Sequence, residues 1–249
     1  PDLMAYASYA WGFKAGGITG RPASADLFKA FDPEWLITYE LGVKSEWLDR
    51  KLRLNLAAFY SSYTDIQITR NTTNAQGMFI RVEQNAGNGD IKGFEAEAAF
   101  APVRGLTLGA GMGVTAFAFT SLLPQQGAAN MLLTLDSKLP FTPKLTATAT
   151  ASYRIPLADA GYLTPRVDVD YSSGYFVDIP NTQAIAQGKY VLLNARLTYM
   201  PRSTTWEGYV SVTNLTNEAV IGSGVYGPAN GSQIVSYRPP RMIFGGVRF

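Results

Sequence analysis

Apolar and polar residues alternate along ten separate stretches of this chain. In the last stretch, Arg241 to Phe249, one side carries Ile243, Gly245, Val247 and Phe249, and the other carries Met242, Phe244, Gly246 and Arg248. Successive side chains of a β-strand point to opposite faces, whereas a helix with this period would scatter its apolar residues around its whole surface. The alternation therefore predicts ten β-strands.

Most of the predicted strands run for roughly 10 to 15 residues, against about 5 to 6 in ordinary globular proteins. They are Leu3 to Lys14, Glu34 to Leu48, Leu52 to Arg70, a fourth strand interrupted at Asn85 to Asp90 and ending at Phe100, Leu106 to Thr120, Pro143 to Ile155, Leu163 to Phe176, Tyr190 to Met200, Trp206 to Asn214, and Arg241 to Phe249.

The connections between these strands alternate in length. Those after the second, fourth, sixth and eighth strands are short, at residues 49–51, 102–105, 156–162 and 201–205, and those after the odd-numbered strands are generally longer. Outer-membrane barrels combine short periplasmic turns and longer external loops with strands that alternate a lipid face and a lumen face. The pattern favours an all-β, antiparallel, up-and-down transmembrane barrel whose last strand descends to the periplasm.

Two other folds fit part of this pattern. A soluble β-sandwich also alternates apolar and polar positions, so a secreted binding module is one alternative, although long strands with charged residues at their centres weigh against it. A passive porin or a small self-closed barrel is the other, because about eight strands already suffice for closure. In that barrel the first and tenth strands would pair.

Composition removes several functions from consideration. The 249 residues include no cysteine and no histidine, which excludes disulfides, thiol catalysis, and imidazole catalysis or ligation within these residues. No run of about 18 apolar residues is present, so a membrane helix is not expected. The net charge of +2 gives no reason to expect a nucleic-acid partner. The charged fraction of 16% is low, and the aromatic fraction of 12% suits a membrane interface.

Several blocks of sequence resemble TonB-dependent outer-membrane receptors. They are spread from Tyr6 to Phe249, and their order and spacing strengthen the resemblance. The blocks are Tyr6-Ala-Ser-Tyr9 with Gly12-Phe-Lys14, Tyr39-Glu-Leu-Gly-Val-Lys-Ser45, Leu52-Arg-Leu-Asn-Leu-Ala-Ala-Phe-Tyr60, Tyr63-Thr-Asp-Ile-Gln67, Asn85-Ala-Gly87, Ile91-Lys-Gly-Phe-Glu-Ala-Glu97, Val212-Thr-Asn-Leu-Thr-Asn217 and Pro239-Pro-Arg241.

The resemblance implies a barrel of about 22 strands around an N-terminal plug domain. Residues 1–249 would supply the last ten strands, and the plug, its TonB-contacting segment and the earlier strands would lie outside this chain. It further implies a bacterial outer-membrane receptor that takes up a scarce nutrient, such as an iron–siderophore complex, with energy supplied through TonB. Expected partners are outer-membrane lipid, the plug, the TonB complex, the ligand, and the barrel insertion machinery, which would read Val247 and Phe249.

Charged residues at mid-strand positions are candidates for the lumen wall. Glu95 with Glu97, and Asp168 with Asp170, stand two residues apart, so each pair lies on one strand face. Paired carboxylates also serve glycoside hydrolysis, but we interpret these as groups that form ion pairs in the lumen or contact the plug. The expected basic partners are Arg53, Arg154, Arg166 and Arg196. We predict no enzymatic activity, no catalytic residue, no metal site and no cofactor.

Ligand contacts are expected from the long loops and adjacent strand ends, because connecting loops carry binding residues on a rigid scaffold. The aromatic candidates are Phe28, Phe31, Tyr175, Phe176, Tyr226 and Tyr237. The alternative is that these rings belong to the aromatic girdle at the membrane interface.

Overall fold

A computed structural model describes residues 2–18, 30–73, 79–124, 133–202, 205–227 and 231–249, with the backbone alone at 70–73 and 79–82. Within these residues no helix has the length and the apolar content to cross a membrane. Two short 3₁₀ turns are present among the described residues, at Ala158–Ala160 and Gln183–Ile185.

The strands, in chain order, are β1 Leu3–Lys14, β2 Gly17–Ile18, β3 Ala30–Phe31, β4 Glu34–Trp47, β5 Leu52–Thr64, β6 Gln67–Thr73, β7 Phe79–Asn85, β8 Gly87–Phe100, β9 Leu106–Leu122, β10 Leu145–Tyr153, β11 Ile155–Pro156, β12 Tyr162–Ser172, β13 Tyr190–Met200, β14 Glu207–Thr213, β15 Ile221–Gly227, β16 Ser232–Tyr237 and β17 Met242–Arg248.

Ten of these strands form one antiparallel sheet in the order β1-β4-β5-β8-β9-β10-β12-β13-β14-β17, and β11 also pairs with β12. The ten strands are those predicted from the alternation, and the all-β antiparallel fold is confirmed. The sheet is a partial barrel. β1 and β17 lie at opposite ends of the strand order and do not pair with each other in the described structure, so the self-closed barrel is not observed. The ten strands lie in one continuous sheet, whereas a β-sandwich would divide them between two packed sheets.

The register of the sheet separates polar from apolar side chains. Residues directly opposite each other in adjacent strands lie on the same face. One lateral row runs through Asn55, Glu97, Gly111, Thr148 and Asp170. The next row, on the other face, runs through Leu56, Ala96, Met112, Ala147 and Tyr171. We call these the inner wall and the outer face.

The outer face exposes large apolar side chains. Leu41 is 67% exposed and Val247 is 58% exposed, and rings of Tyr9, Trp11 and Phe13 line the same side of β1. Exposure of such a continuous apolar surface to water is unfavourable by about 25 cal/mol for each Å². Contact with lipid hydrocarbon removes this cost, as on the outside of membrane barrels.

The buried apolar side chains lie at the edge of the sheet that carries the long connections. One cluster includes Ile66, Ala86 and Phe119, and a second contains Tyr175 and Ile185. Ala86 and Ile185 have no exposed surface. The long connections therefore pack into a structure with its own apolar core, whereas the opposite edge carries short connections. We call the long-connection side the loop end.

The structure corrects three predicted strand bounds. The third predicted strand breaks after Thr64 because Asp65 adopts a positive φ of 51°, and the chain then continues as β6. The predicted interruption at 85–90 is strand except for Ala86, whose N–H donates to Ile66 O over 2.7 Å. The seventh strand ends at Ser172, four residues earlier than predicted. In each case the backbone pairs with a distant segment that local composition does not reveal.

Candidate functional site

The inner wall carries the predicted charged residues of the strands. Seven of these residues occupy inner-wall positions in the strand register: Arg53, Glu95, Glu97, Arg166, Asp168, Asp170 and Arg196. Arg154 follows the last residue of β10, and its guanidinium lies 3.8 Å from the centre of the Tyr162 ring. The register thus brings most of these residues onto one surface, and their contact with a plug domain stays a prediction.

One predicted ion pair is present on this wall. Arg166 donates to Asp168 through Nε at 2.9 Å and through Nη2 at 2.6 Å. A charge-assisted, two-pronged contact of this kind fixes both side chains in place. At this point on the inner wall, the positive charge of Arg166 and the negative charge of Asp168 therefore compensate each other.

Two of the other expected arginines pair with different carboxylates in the described structure. Arg53 bonds Glu46, which is its direct cross-strand neighbour, through Nη2 at 3.1 Å. Arg196 lies 3.8 Å from Glu207. Glu97 and Asp170 accept amide hydrogen bonds from Asn55 and Asn194 respectively, each at 3.3 Å. Glu46 and Glu207 were missed because strand register, which decides these partners, was not part of the sequence prediction.

Inner-wall glycines lie beneath aromatic rings. A Cβ at Gly42 would overlap the ring of Tyr6, whose hydroxyl donates to Glu40 Oε1 over 2.7 Å. A Cβ at Gly246 would approach the Tyr209 ring to 2.8 Å. Each ring covers the space that a side chain would fill on the glycine opposite it, which is a known way of packing glycine within a sheet. Farther along the wall, Gly109 and Gly111 form the floor of a 450 Å³ hollow.

At the loop end, the predicted aromatic residues have different environments. Tyr175 is only 8% exposed, and its hydroxyl donates to Ile221 O over 2.7 Å and accepts from Arg238 Nη2 over 3.2 Å. Burial raises the pKa of this phenol, and the charge of Arg238 opposes the shift. Tyr175 therefore joins two long connections from within their core, where it offers little surface to a ligand.

The remaining aromatic candidates are not all brought together. Phe176 and Tyr226 each line a cavity. Tyr237 is 60% exposed and pairs with Ile221 in the β15–β16 hairpin. Phe31 is partly buried and pairs with Gly17 at the start of the first long connection. Phe28 lies outside the described residues.

Two cavities lie among the long connections. The larger one, of 720 Å³, is lined by Phe176 together with segments 138–144 and 173–188. The smaller one, of 260 Å³, places Tyr226 near Phe141 and Asp178. Ligand pockets have volumes of about 300–1,000 Å³ and are mostly apolar with a few polar groups. The larger cavity falls within that range. Among the described residues, no group of three or more acidic, Cys or His side chains that could hold a metal ion is found.

Asparagine side chains that the sequence reading did not single out hold the loop end together. Asn181 accepts from Lys138 N over 2.6 Å and donates to Lys138 O over 2.9 Å. In the same way, Asn85 accepts from Asp32 N over 2.7 Å and donates to Asp32 O over 2.9 Å. Asn214 bonds both Glu218 N and Glu218 O. Asn85 and Asn214 belong to the sequence blocks that resemble the receptor family. The sequence alone did not indicate that their side chains bond to the backbone of the long connections.

The open antiparallel sheet, its apolar outer face and its long connections at one edge define part of an outer-membrane β-barrel. The family model described as "TonB dependent receptor-like, beta-barrel" matches residues 1–215. The chain belongs to this TonB-dependent receptor family, as its sequence blocks indicated, and its location is the outer membrane.

Relatives and solved structures agree with this assignment. The pesticin receptor of Yersinia enterocolitica is 27% identical over 235 residues, which cover 94% of this chain and 32% of the relative. The ferric yersiniabactin uptake receptor FyuA from Yersinia pestis is 25% identical, with a TM-score of 0.79 over 99% of this chain and 34% of that one.

The siderophore receptor PiuA from Acinetobacter baumannii shares the fold, with a TM-score of 0.70 at 19% identity over 99% of this chain and 33% of that one. The chain spans about a third of the length of the proteins it matches.

Proposed function

We propose that this chain is the C-terminal ten-stranded part of a TonB-dependent receptor that takes up a ferric siderophore across the outer membrane. The observation that carries the proposal is the match of nearly the whole chain to the ferric yersiniabactin uptake receptor, with a TM-score of 0.79. Siderophore receptors recur among the other structural neighbours, which supports the same class of ligand.

Each part of the chain has a distinct role in this proposal. The outer face contacts lipid, and the short connections face the periplasm. The inner wall contacts the plug domain encoded elsewhere in the receptor, through groups such as Glu97, Asp170 and the Arg166–Asp168 pair. The loop end faces the medium and binds the ligand. Energy delivered through TonB then moves the plug, and the ligand passes through without any bond being made or broken.

The test uses the full-length receptor in a Gram-negative strain that lacks its other siderophore receptors. We expect uptake of ⁵⁵Fe from at least one ferric siderophore, and we expect it to stop when TonB is deleted. Uptake that continues without TonB would indicate a passive porin. Absence of uptake for every ferric complex offered would contradict the proposal.

A deletion tests the role of the loop end. Removal of residues 218–238 eliminates the β15–β16 hairpin and the Ile221 carbonyl that Tyr175 contacts. We expect uptake to be lost while the receptor still migrates as a folded, heat-modifiable band from the outer membrane. The control is Arg202→Ala in a short connection at the opposite edge, which should leave uptake unchanged. Full uptake by the deletion variant would contradict the role assigned to the loop end.

A further inference from the structure

The 720 Å³ cavity at the loop end has a preformed wall. Tyr175 and Gln187 exchange both backbone hydrogen bonds at 2.9 Å, and Phe141 N donates to Phe176 O over 2.8 Å. The Gln187 side chain accepts from Ile221 N over 2.6 Å, which ties the cavity to the β15–β16 hairpin. These bonds fix the lining before any ligand arrives, and a preformed site loses less conformational entropy on binding.

The charges that line this cavity have one sign. Lys138 and Lys144 are its charged lining residues, and the described lining includes no aspartate or glutamate. Neither ammonium group forms an ion pair with another described residue. A third cation, Arg238, lies behind the lining and donates to the Tyr175 hydroxyl. The site is therefore electrostatically complementary to an anion.

The rest of the lining suits a flat, partly apolar molecule. Phe176 contributes a partly exposed ring, Phe117 and Tyr175 contribute the small exposed parts of buried rings, and Gln183 contributes a side-chain amide. Aromatic walls favour planar aromatic groups through offset or edge-to-face contacts. An aliphatic, uncharged chelate would use neither the rings nor the two lysines.

We propose that this cavity binds a net-anionic ferric complex whose chelating arms are aromatic, of the catecholate or phenolate type, with Lys138 and Lys144 as the anion-binding groups. The inference rests on the proposed siderophore uptake and narrows it to one chemical class. Phe176 supplies the ring on which an aromatic arm stacks, and Gln187 orients the wall.

The test measures binding of three purified iron complexes to the full-length receptor: a ferric catecholate, a ferric phenolate and an uncharged ferric trihydroxamate. We expect an anionic aromatic complex to bind most tightly. The double variant Lys138→Gln with Lys144→Gln should weaken that binding about tenfold, because exposed ion pairs each contribute a few-fold in affinity. Replacement of both lysines by arginine should retain it. Lys189→Gln, in the connection after β12 and outside the cavity lining, is the matched control and should change nothing.

The results separate this inference from the broader proposal. Preferred binding and uptake of the trihydroxamate would overturn the inference and leave siderophore uptake standing. So would an unchanged affinity of the glutamine double variant for the anionic complex, measured on folded receptor. If the receptor neither binds nor transports any of the complexes, both proposals are wrong.

Discussion

Asn181 offers a direct test of how the loop end is held together. Its side chain forms two hydrogen bonds with the backbone of Lys138: it accepts from Lys138 N over 2.6 Å and donates to Lys138 O over 2.9 Å. These bonds join the connection after β9 to the connection after β12. It also occupies a positive φ of 58°, where asparagine and glycine are tolerated better than other residues. Asn181→Gly removes the two bonds without adding backbone strain. Asn181→Ala removes the bonds and adds strain.

The two bonds set the size of the expected effect. Each contributes about 1 kcal/mol to net stability, so their loss should make separation of the two connections easier by about 2 kcal/mol. That corresponds to an opening equilibrium about 30-fold larger. The alanine variant should open more readily still, by roughly a further 1–2 kcal/mol, because an L-residue with a Cβ is disfavoured in the left-handed region.

Hydrogen–deuterium exchange on the full-length receptor measures this opening. Peptides from residues 133–144 and 173–189 should exchange faster in Asn181→Gly than in the wild type, and faster again in Asn181→Ala. Peptides from β4 and β5, far from Asn181 in the strand order, serve as the internal control and should not change. Exchange of the glycine variant at the wild-type rate would show that the two bonds do not hold the connections together.

Two further predictions concern the barrel itself. Gly42→Ala should displace the Tyr6 ring and break its hydrogen bond to Glu40, and the overpacked contact at residue 42 should lower stability by about 1–3 kcal/mol in urea unfolding. Gly12→Ala, where a Cβ meets nothing within 4 Å, is the matched control, and an equal effect of both variants would refute the packing argument. Deletion of Phe249 should reduce the amount of heat-modifiable receptor in the outer membrane, and an unchanged immunoblot would speak against its role in assembly.

The period-2 alternation was sufficient to predict the sheet. β1 runs from Leu3 to Lys14 and β13 from Tyr190 to Met200, as predicted, because every second side chain of these strands meets a different environment. The hairpins of the long connections were not predicted. β15 and β16 contain several Gly and Ser residues and form against the Tyr175 cluster, so distant packing and not local periodicity determines them.

The candidate site was predictable in part. The spacing of Glu95 and Glu97, and of Asp168 and Asp170, correctly gave a shared face, because face depends on residue parity alone. Ion-pair partners depend on register across strands, which is why Arg53 bonds Glu46 and Arg196 lies near Glu207. Tyr175 was a ligand-contact candidate because it lies near the end of the predicted seventh strand, yet packing against the β15–β16 hairpin buries it.

Under the proposed function, the long connections form the external, ligand-facing end of an outer-membrane barrel. Residues 1–249 contain no cysteine, so single cysteines can be introduced into a cysteine-free full-length receptor. Ile234 on β16 is 67% exposed, and Asp49 lies in an exposed turn at the opposite edge. In intact cells a membrane-impermeant maleimide should label Ile234→Cys and should label Asp49→Cys only after the outer membrane is permeabilised. Labelling of Asp49→Cys but not of Ile234→Cys in intact cells would contradict the orientation and the ligand-binding role built on it.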